Sequence, residues 1–325
     1  MLTLLGCSDS PTVSVEPLAR HPNVVSASSM PHDGLLTADV SLSRIAHAAV
    51  TEAAAVNTIT VGGQTEGPNF FPFGGGFGLA SRYQQAYAAT QFGTSAPLMI
   101  KSIAFVGGQG TFATSTYAFS LSTITTGIDD LSTTNFNANR GPDNALLASM
   151  NLSGAAPATL RIEGATPFLY DPARGNLLLD IVVTPGAAIS SGFAAYQSRV
   201  SAFGVMSRYH NFGSGFIGYG LITQFELAPL TIDNVLAVVD RAVENRSLTG
   251  EGNGSSAANR LATWVNMLRT AQQSAGRGHD TGPCGLLEQA YLRADGASPP
   301  PDFVGGAAAP SIAHLIQSLR GTLGC

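Results

Sequence analysis

Charge is scarce in this chain of 325 residues: Asp, Glu, Lys and Arg make up 11%, and Lys101 is the only lysine. The net charge is −5 and no basic cluster occurs, which excludes a nucleic-acid-binding surface. No run of 18 apolar residues occurs, so no segment reads as a membrane-spanning helix. Cysteine is rare too. Cys7, Cys284 and Cys325 include no Cys-x-x-Cys spacing, which argues against zinc-ribbon or thioredoxin chemistry. The glycine-rich Phe70–Gly78 segment lacks a Gly-Lys-Ser/Thr ending, so it is not a phosphate loop. No Gly-x-Ser-x-Gly elbow accompanies His210, and neither His279 nor His314 has a ligand partner at metal spacing.

What is present starts at the N-terminus. Leu4-Leu5-Gly6-Cys7 resembles a bacterial lipobox, in which the cysteine thiol takes a diacylglycerol. The resemblance implies lipid attachment at Cys7, export, and a membrane partner reached through that anchor, with Ser8 fitting outer-membrane sorting. Only Met1, Leu2, Leu4 and Leu5 are apolar before Cys7, and no basic residue precedes it. A chance tetrapeptide and a start placed too late are the competing readings. Setting Cys7 aside leaves Cys284 and Cys325 as an even pair. In an oxidising compartment they can close a long loop, a constraint worth at most about 4 kcal/mol by chain entropy. Two reduced thiols in a cytosolic helical domain are the alternative.

Length argues for two domains and a tail. Residues 8–56 read as a tether, partly helical over Ser41–Val56. Residues 57–227 alternate short β-branched and aromatic runs with Gly, Pro, Asn and Asp. The expected strands are Thr58–Val61, Arg82–Tyr87, Leu98–Phe105, Tyr117–Ile124, Ala145–Leu152, Leu160–Ile162, Leu177–Val183, Phe193–Tyr196 and Leu221–Leu227. Many short strands without helical periods predict an antiparallel β-sandwich of jelly-roll type. Ile103 and Phe105 share a face with Lys101 outside only if a bulge intervenes, and Leu177–Val183 reads as a central strand covered on both sides. From residue 228 to 325 helical spacing takes over. Thr231 caps a stripe of Ile232, Val235, Leu236, Val239 and Val243. Leu261, Trp264, Val265 and Leu268 mark a second helix, Leu286, Leu287, Ala290 and Tyr291 a third, and Ile312, Leu315, Ile316 and Leu319 a fourth that stops at Gly321.

Several blocks carry a family resemblance: Ser81-Arg-Tyr-Gln-Gln-Ala-Tyr87 with Gln91-Phe92, Ile100-x-x-Ile-Ala-Phe105, Leu121-Ser-Thr123, and Leu131-Ser-Thr-Thr134. Pro167-Phe168-x-Tyr-Asp-Pro172, Gly175-Asn-Leu-Leu-Leu-Asp180 and Tyr219-Gly-Leu-x-Thr-Gln-Phe-Glu226 complete the set. Over about half of the chain these resemble the β-sandwich of exported PEP-CTERM-type bacterial surface proteins. The resemblance implies a β-sandwich and supplies no catalytic residues. The chain departs from that family in lacking a Pro-Glu-Pro and transmembrane sorting tail, which a lipid on Cys7 would replace. The helical region resembles FIMAH-type modules of exported bacterial proteins.

Candidate site residues fall into two groups. Phe73, Phe77, Tyr209, Phe212, Phe216 and Tyr219, punctuated by glycine, are candidates for a face that stacks on sugar rings, the alternative being packing on the sandwich. Asp180 interrupts an apolar run and needs partners or a cation. With Asp171, or with Asp129 and Asp130, it is a candidate calcium site. Pro167 and Pro172 bracket a turn or edge segment between them. Glycoside hydrolysis needs two carboxylates across a cleft, and Glu66, Glu163 and Glu226 are the available glutamates. The expectation is no enzyme: an exported, lipid-anchored surface protein in display, adhesion or envelope organisation. The alternatives are a carbohydrate-binding module that uses exposed aromatics and the candidate calcium site, and a glycoside hydrolase.

Overall fold

The computed structural model describes residues 57–63, 65–74, 81–186, 192–200, 204–210, 215–277 and 282–325. Cys7, the expected tether with its Ser41–Val56 helix, Phe77, Phe212 and His279 lie outside the described residues. Strands run as β1 (Thr58–Val61), β2 (Gly67–Asn69), β3 (Ser81–Tyr87), β4 (Leu98–Val106), β5 (Thr111–Ile124), β6 (Ala145–Ala155), β7 (Thr159–Tyr170), β8 (Asn176–Pro185), β9 (Tyr196–Val200), β10 (Met206–His210), β11 (Phe216–Ile217), β12 (Tyr219–Leu221) and β13 (Thr223–Leu227). Helices follow as α1 (Ile232–Glu244), α2 (Ser255–Gly276), α3 (Gly282–Tyr291) and α4 (Ala309–Thr322).

The strands pair antiparallel in a four-stranded sheet, β1-β13-β4-β7, and a six-stranded sheet, β11-β10-β3-β8-β5-β6. A smaller sheet, β12-β9-β2, closes one end. The two large sheets stack face to face. Ile100, Ile103, Phe105, Ile162 and Phe225 from one meet Tyr83, Phe119, Leu179 and Ile181 from the other in a common core. Each such side chain contributes about 1.5–3 kcal/mol when fully buried. Ile100 and Ile103, three residues apart, both face inward because the β4–β7 register slips between Ile100 and Ser102. That slip is the bulge required to leave Lys101 outside. Pro167 lies within β7, an edge strand where its missing N–H costs no ladder bond, and Pro172 opens the single turn after it.

β8 is central and buried on both faces. Leu177, Leu179 and Ile181 point into the main core, while Leu178 points the other way. There residues 125–144 fold back over the sheet, packing Ile128, Leu131 and Phe136 on Ala86, Leu178 and Tyr209. Gln84 anchors this layer, donating from Nε2 to the Phe136 carbonyl at 2.9 Å and accepting from Asn139 Nδ2 at 2.8 Å.

Thr231 caps α1 as its spacing predicts, its hydroxyl accepting from the Asn234 amide at 3.2 Å. The four helices enclose Trp264, whose indole N–H donates to the Ala290 carbonyl at 2.8 Å. Met99 and Leu169 of the sandwich belong to the same apolar cluster, and residues 53–325 form one compact unit. Arg241 of α1 ties the seam further, donating to the carbonyls of Thr166 and Pro167. Cys284 at the start of α3 is bonded to Cys325, closing a loop of 41 residues with a Cα–Cα distance of 5.4 Å.

Candidate functional site

The aromatic residues singled out by spacing separate into two environments. Phe73 is fully buried between Phe105, Phe112, Tyr117 and Tyr196, so it is a core residue and not part of a ligand face. Tyr209 is also buried. Alternation along β10 sends it to the layer of residues 125–144, where its hydroxyl donates to the Ile128 carbonyl at 2.9 Å and burial pushes its pKa up to about 12. Phe216 and Tyr219 remain near the surface and come together, ring centroids 6.4 Å apart.

What gathers around them is a group that the spacing did not reveal. β10 places Arg208 and His210 on the same side, opposite Tyr209. The Arg208 guanidinium carbon lies 4.2 Å from the Tyr219 ring centroid, 4.6 Å from that of Phe216 and 5.7 Å from that of Phe71. Its Nη1 donates to Asn69 Oδ1 at 2.6 Å. Asn69 in turn clamps the chain ahead of it, donating to the Phe71 carbonyl at 3.0 Å. The His210 imidazole stacks parallel on Phe71 at 4.4 Å and lies 5.7 Å from Phe216. Burial, then the neighbouring Arg208 charge, holds the imidazole below its ordinary pKa, so it is neutral at physiological pH. Tyr219 is pinned by the buried Ser198, its hydroxyl 2.6 Å from Ser198 Oγ. Gly218 makes the corner between β11 and β12 with φ 71°, in the left-handed region.

This corner carries exposed apolar surface. Phe216 is 46% exposed and Ile217 47%. Phe70, the neighbour of Phe71, meets Phe193 edge-on at 6.3 Å, and Phe193 is 62% exposed. The β11 corner therefore presents Phe216 at the surface with a buried cation and an imidazole behind it, and the Phe70–Phe193 pair adjoins through Phe71. The signal that could have found Arg208 is the Arg-x-His alternation of Arg208 and His210.

The calcium candidates are committed elsewhere. Asp180 is buried and grips Arg82 with both oxygens, at 2.8 Å to Nε and 2.7 Å to Nη2, while Arg140 Nε approaches at 2.6 Å. Asp171 caps the turn at Pro172, accepting from the Ala173 amide at 3.1 Å. His314 of α4 faces the sandwich, its Nδ1 3.3 Å from Asp171 Oδ2. Asp129 accepts from the Ser207 hydroxyl. Asp180, Asp171 and Asp129 are thus occupied by protein donors, and among the described residues no group of three or more His, Cys, Asp or Glu is arranged to hold a metal ion.

Glu163 and Glu226 lie on the outer face of the four-stranded sheet among Lys101 and Arg161. Hydrogen bonds from these cations hold both carboxyls below their ordinary range, Arg161 acting on Glu226 and Lys101 on Glu163. A general acid requires the opposite shift. Asp143, raised by burial, lines a cleft of about 110 Å³ at the seam with α1 and α4, where Arg174 and Arg241 also lie. It is the sole carboxylate in that lining, so the cleft holds no carboxylate pair. No family model matches the chain, and no curated protein matches it in sequence.

Proposed function

We propose that this is an exported, lipid-anchored bacterial surface protein with a non-catalytic role in display, adhesion or envelope organisation, exercised by binding at the β10–β12 corner. The observation that carries the reading is the exposed Phe216 of β11 over Arg208, with the exposed Phe70–Phe193 pair joined to the same corner through Phe71, the chain neighbour of Phe70. Scattered apolar side chains are ordinary on a surface, whereas rings gathered at one place mark an interaction site. The Cys284–Cys325 bond supports an oxidising compartment, and the lipobox-like Cys7 and the PEP-CTERM-type resemblance support export.

Between a protein and a carbohydrate ligand, the favoured ligand is carbohydrate, because flat rings flanked by a planar guanidinium suit the apolar face of a sugar. The purified full chain on a glycan array should bind a defined set of glycans, and the Phe216→Ala/Phe193→Ala variant should lose them while keeping its thermal transition. An array without specific binding would remove the carbohydrate reading, and undiminished binding by the double variant would remove this corner.

A further inference from the structure

We propose that the ligand of this corner carries a singly charged oxyanion on a sugar ring, received by Arg208 with His210 beside it. The proposal rests on the binding reading above and names its ligand class. Arg208 is 7% exposed, and a guanidinium does not shed its proton at any physiological pH. A buried charge is normally paired, because leaving it alone in an apolar site is costly. The same molecule obeys that rule elsewhere: Arg82 is matched by Asp180, and Arg241 by two carbonyls. Arg208 makes no ion pair among the described residues. Within the sandwich, residues 64, 75–80, 187–191, 201–203 and 211–214 include no Asp or Glu either. Three ring faces and the Asn69 amide oxygen partly compensate the charge.

Two polar atoms remain unused. Arg208 Nε and His210 Nδ1 are buried without a hydrogen-bond partner among the described residues. His210 is itself 6% exposed, so water does not serve as its default partner. Unsatisfied atoms on and beside an only partly compensated buried cation call for a partner and point to a group that arrives from outside. An oxyanion that presents two oxygens side by side accepts from a guanidinium along two parallel N–H directions, with charge-assisted strength. The half-exposed Phe216 ring lies directly over the guanidinium, so a sugar ring stacked on Phe216 would hold a ring substituent next to Arg208. A uronate carboxylate and a sulfate ester share this chemistry.

The test uses isothermal titration of the full chain with tetragalacturonate, with its neutral methyl ester, and with a sulfated galactose oligosaccharide. Preference for either acidic probe over the ester by about tenfold or more is expected. The acidic probe that wins identifies the source of the oxyanion. Arg208→Met should abolish the preference, bringing acid and ester to the same affinity, and Phe216→Ala should weaken acid and ester alike. Arg208→Lys, which keeps the charge without the fork, serves if the methionine variant does not fold, and it should reduce the preference. Equal affinity for acid and ester, or a preference that survives folded Arg208 variants, overturns the oxyanion while leaving the binding reading standing. Failure to bind all three probes, with no specific binding on the glycan array, overturns both.

Discussion

Replacing Asp180 by alanine isolates the contact that fastens the outer layer of residues 125–144 to the six-stranded sheet. The carboxylate is 1% exposed and receives three guanidinium N–H bonds of 2.6–2.8 Å from Arg82 and Arg140. Removing one partner of a buried ion pair costs about 3–5 kcal/mol, because the partner charges are left uncompensated. The arginines keep some contact with water, at 18% and 31% exposure, and Arg82 retains Asn137 and the Phe136 carbonyl. The lower end, about 3 kcal/mol, is therefore expected. For a unit of this size each kcal/mol moves the midpoint by about 2 °C, so Tm should fall by roughly 6 °C. Denaturant melts of Asp180→Ala, Arg140→Ala and the double variant should show a coupling of about 1–3 kcal/mol. A drop below about 1 kcal/mol, or strictly additive variants, would refute the ionic anchor. Calcium that stabilises the wild type but not Asp180→Ala would instead restore the metal role.

Three further outcomes are expected. Cys284→Ser should lower stability by at most about 4 kcal/mol through the 41-residue loop, and reductant should shift the wild-type melt to the same position while leaving the variant unmoved. Trp264→Ala, which empties the centre of the helical cluster and removes the hydrogen bond to Ala290, should cost about 3–5 kcal/mol in a denaturant melt. His210 has a folded pKa below its ordinary 6.5, so the unfolded chain takes up the proton first as pH falls. The stability it contributes is complete above pH 6.5 and declines as pH drops through the lower folded value. His210→Gln should flatten that part of a Tm-against-pH curve, and an unchanged curve would show that the imidazole is not held neutral.

The parts of the fold written in short-range chemistry could be read before the structure. Thr58–Val61 matches β1, the Leu177–Val183 run is the doubly covered centre, and the Thr231 cap starts α1. The bulge at Lys101 followed from requiring Ile103 and Phe105 to be inside. β2, β10 and β11 were missed for physical reasons. Gly67-Pro-Asn69 is too short to show a period, and Met206-Ser-Arg-Tyr-His210 mixes polar groups into both faces of a buried strand. Aromatic content alone does not separate inside from outside, so Phe73 and Tyr209 looked like Phe216 and Tyr219. Arg208 was passed over because arginine is ordinarily a surface residue, and only long-range pairing sets three rings around it.

The layer formed by residues 125–144 also limits how a partner can approach. Ile128, Leu131 and Phe136 shield one broad side of the β8 sheet, and the opposing sheet shields the other. Neither flat surface is open to lie along an extended polymer. Contact with that sheet is confined to its edges, such as the one at β11, where the footprint of the proposed sugar ligand would span only a few units. Recognition of chain ends or short branches suits such an edge better than a long continuous grip, and the lipid anchor proposed above would add avidity by displaying many copies together.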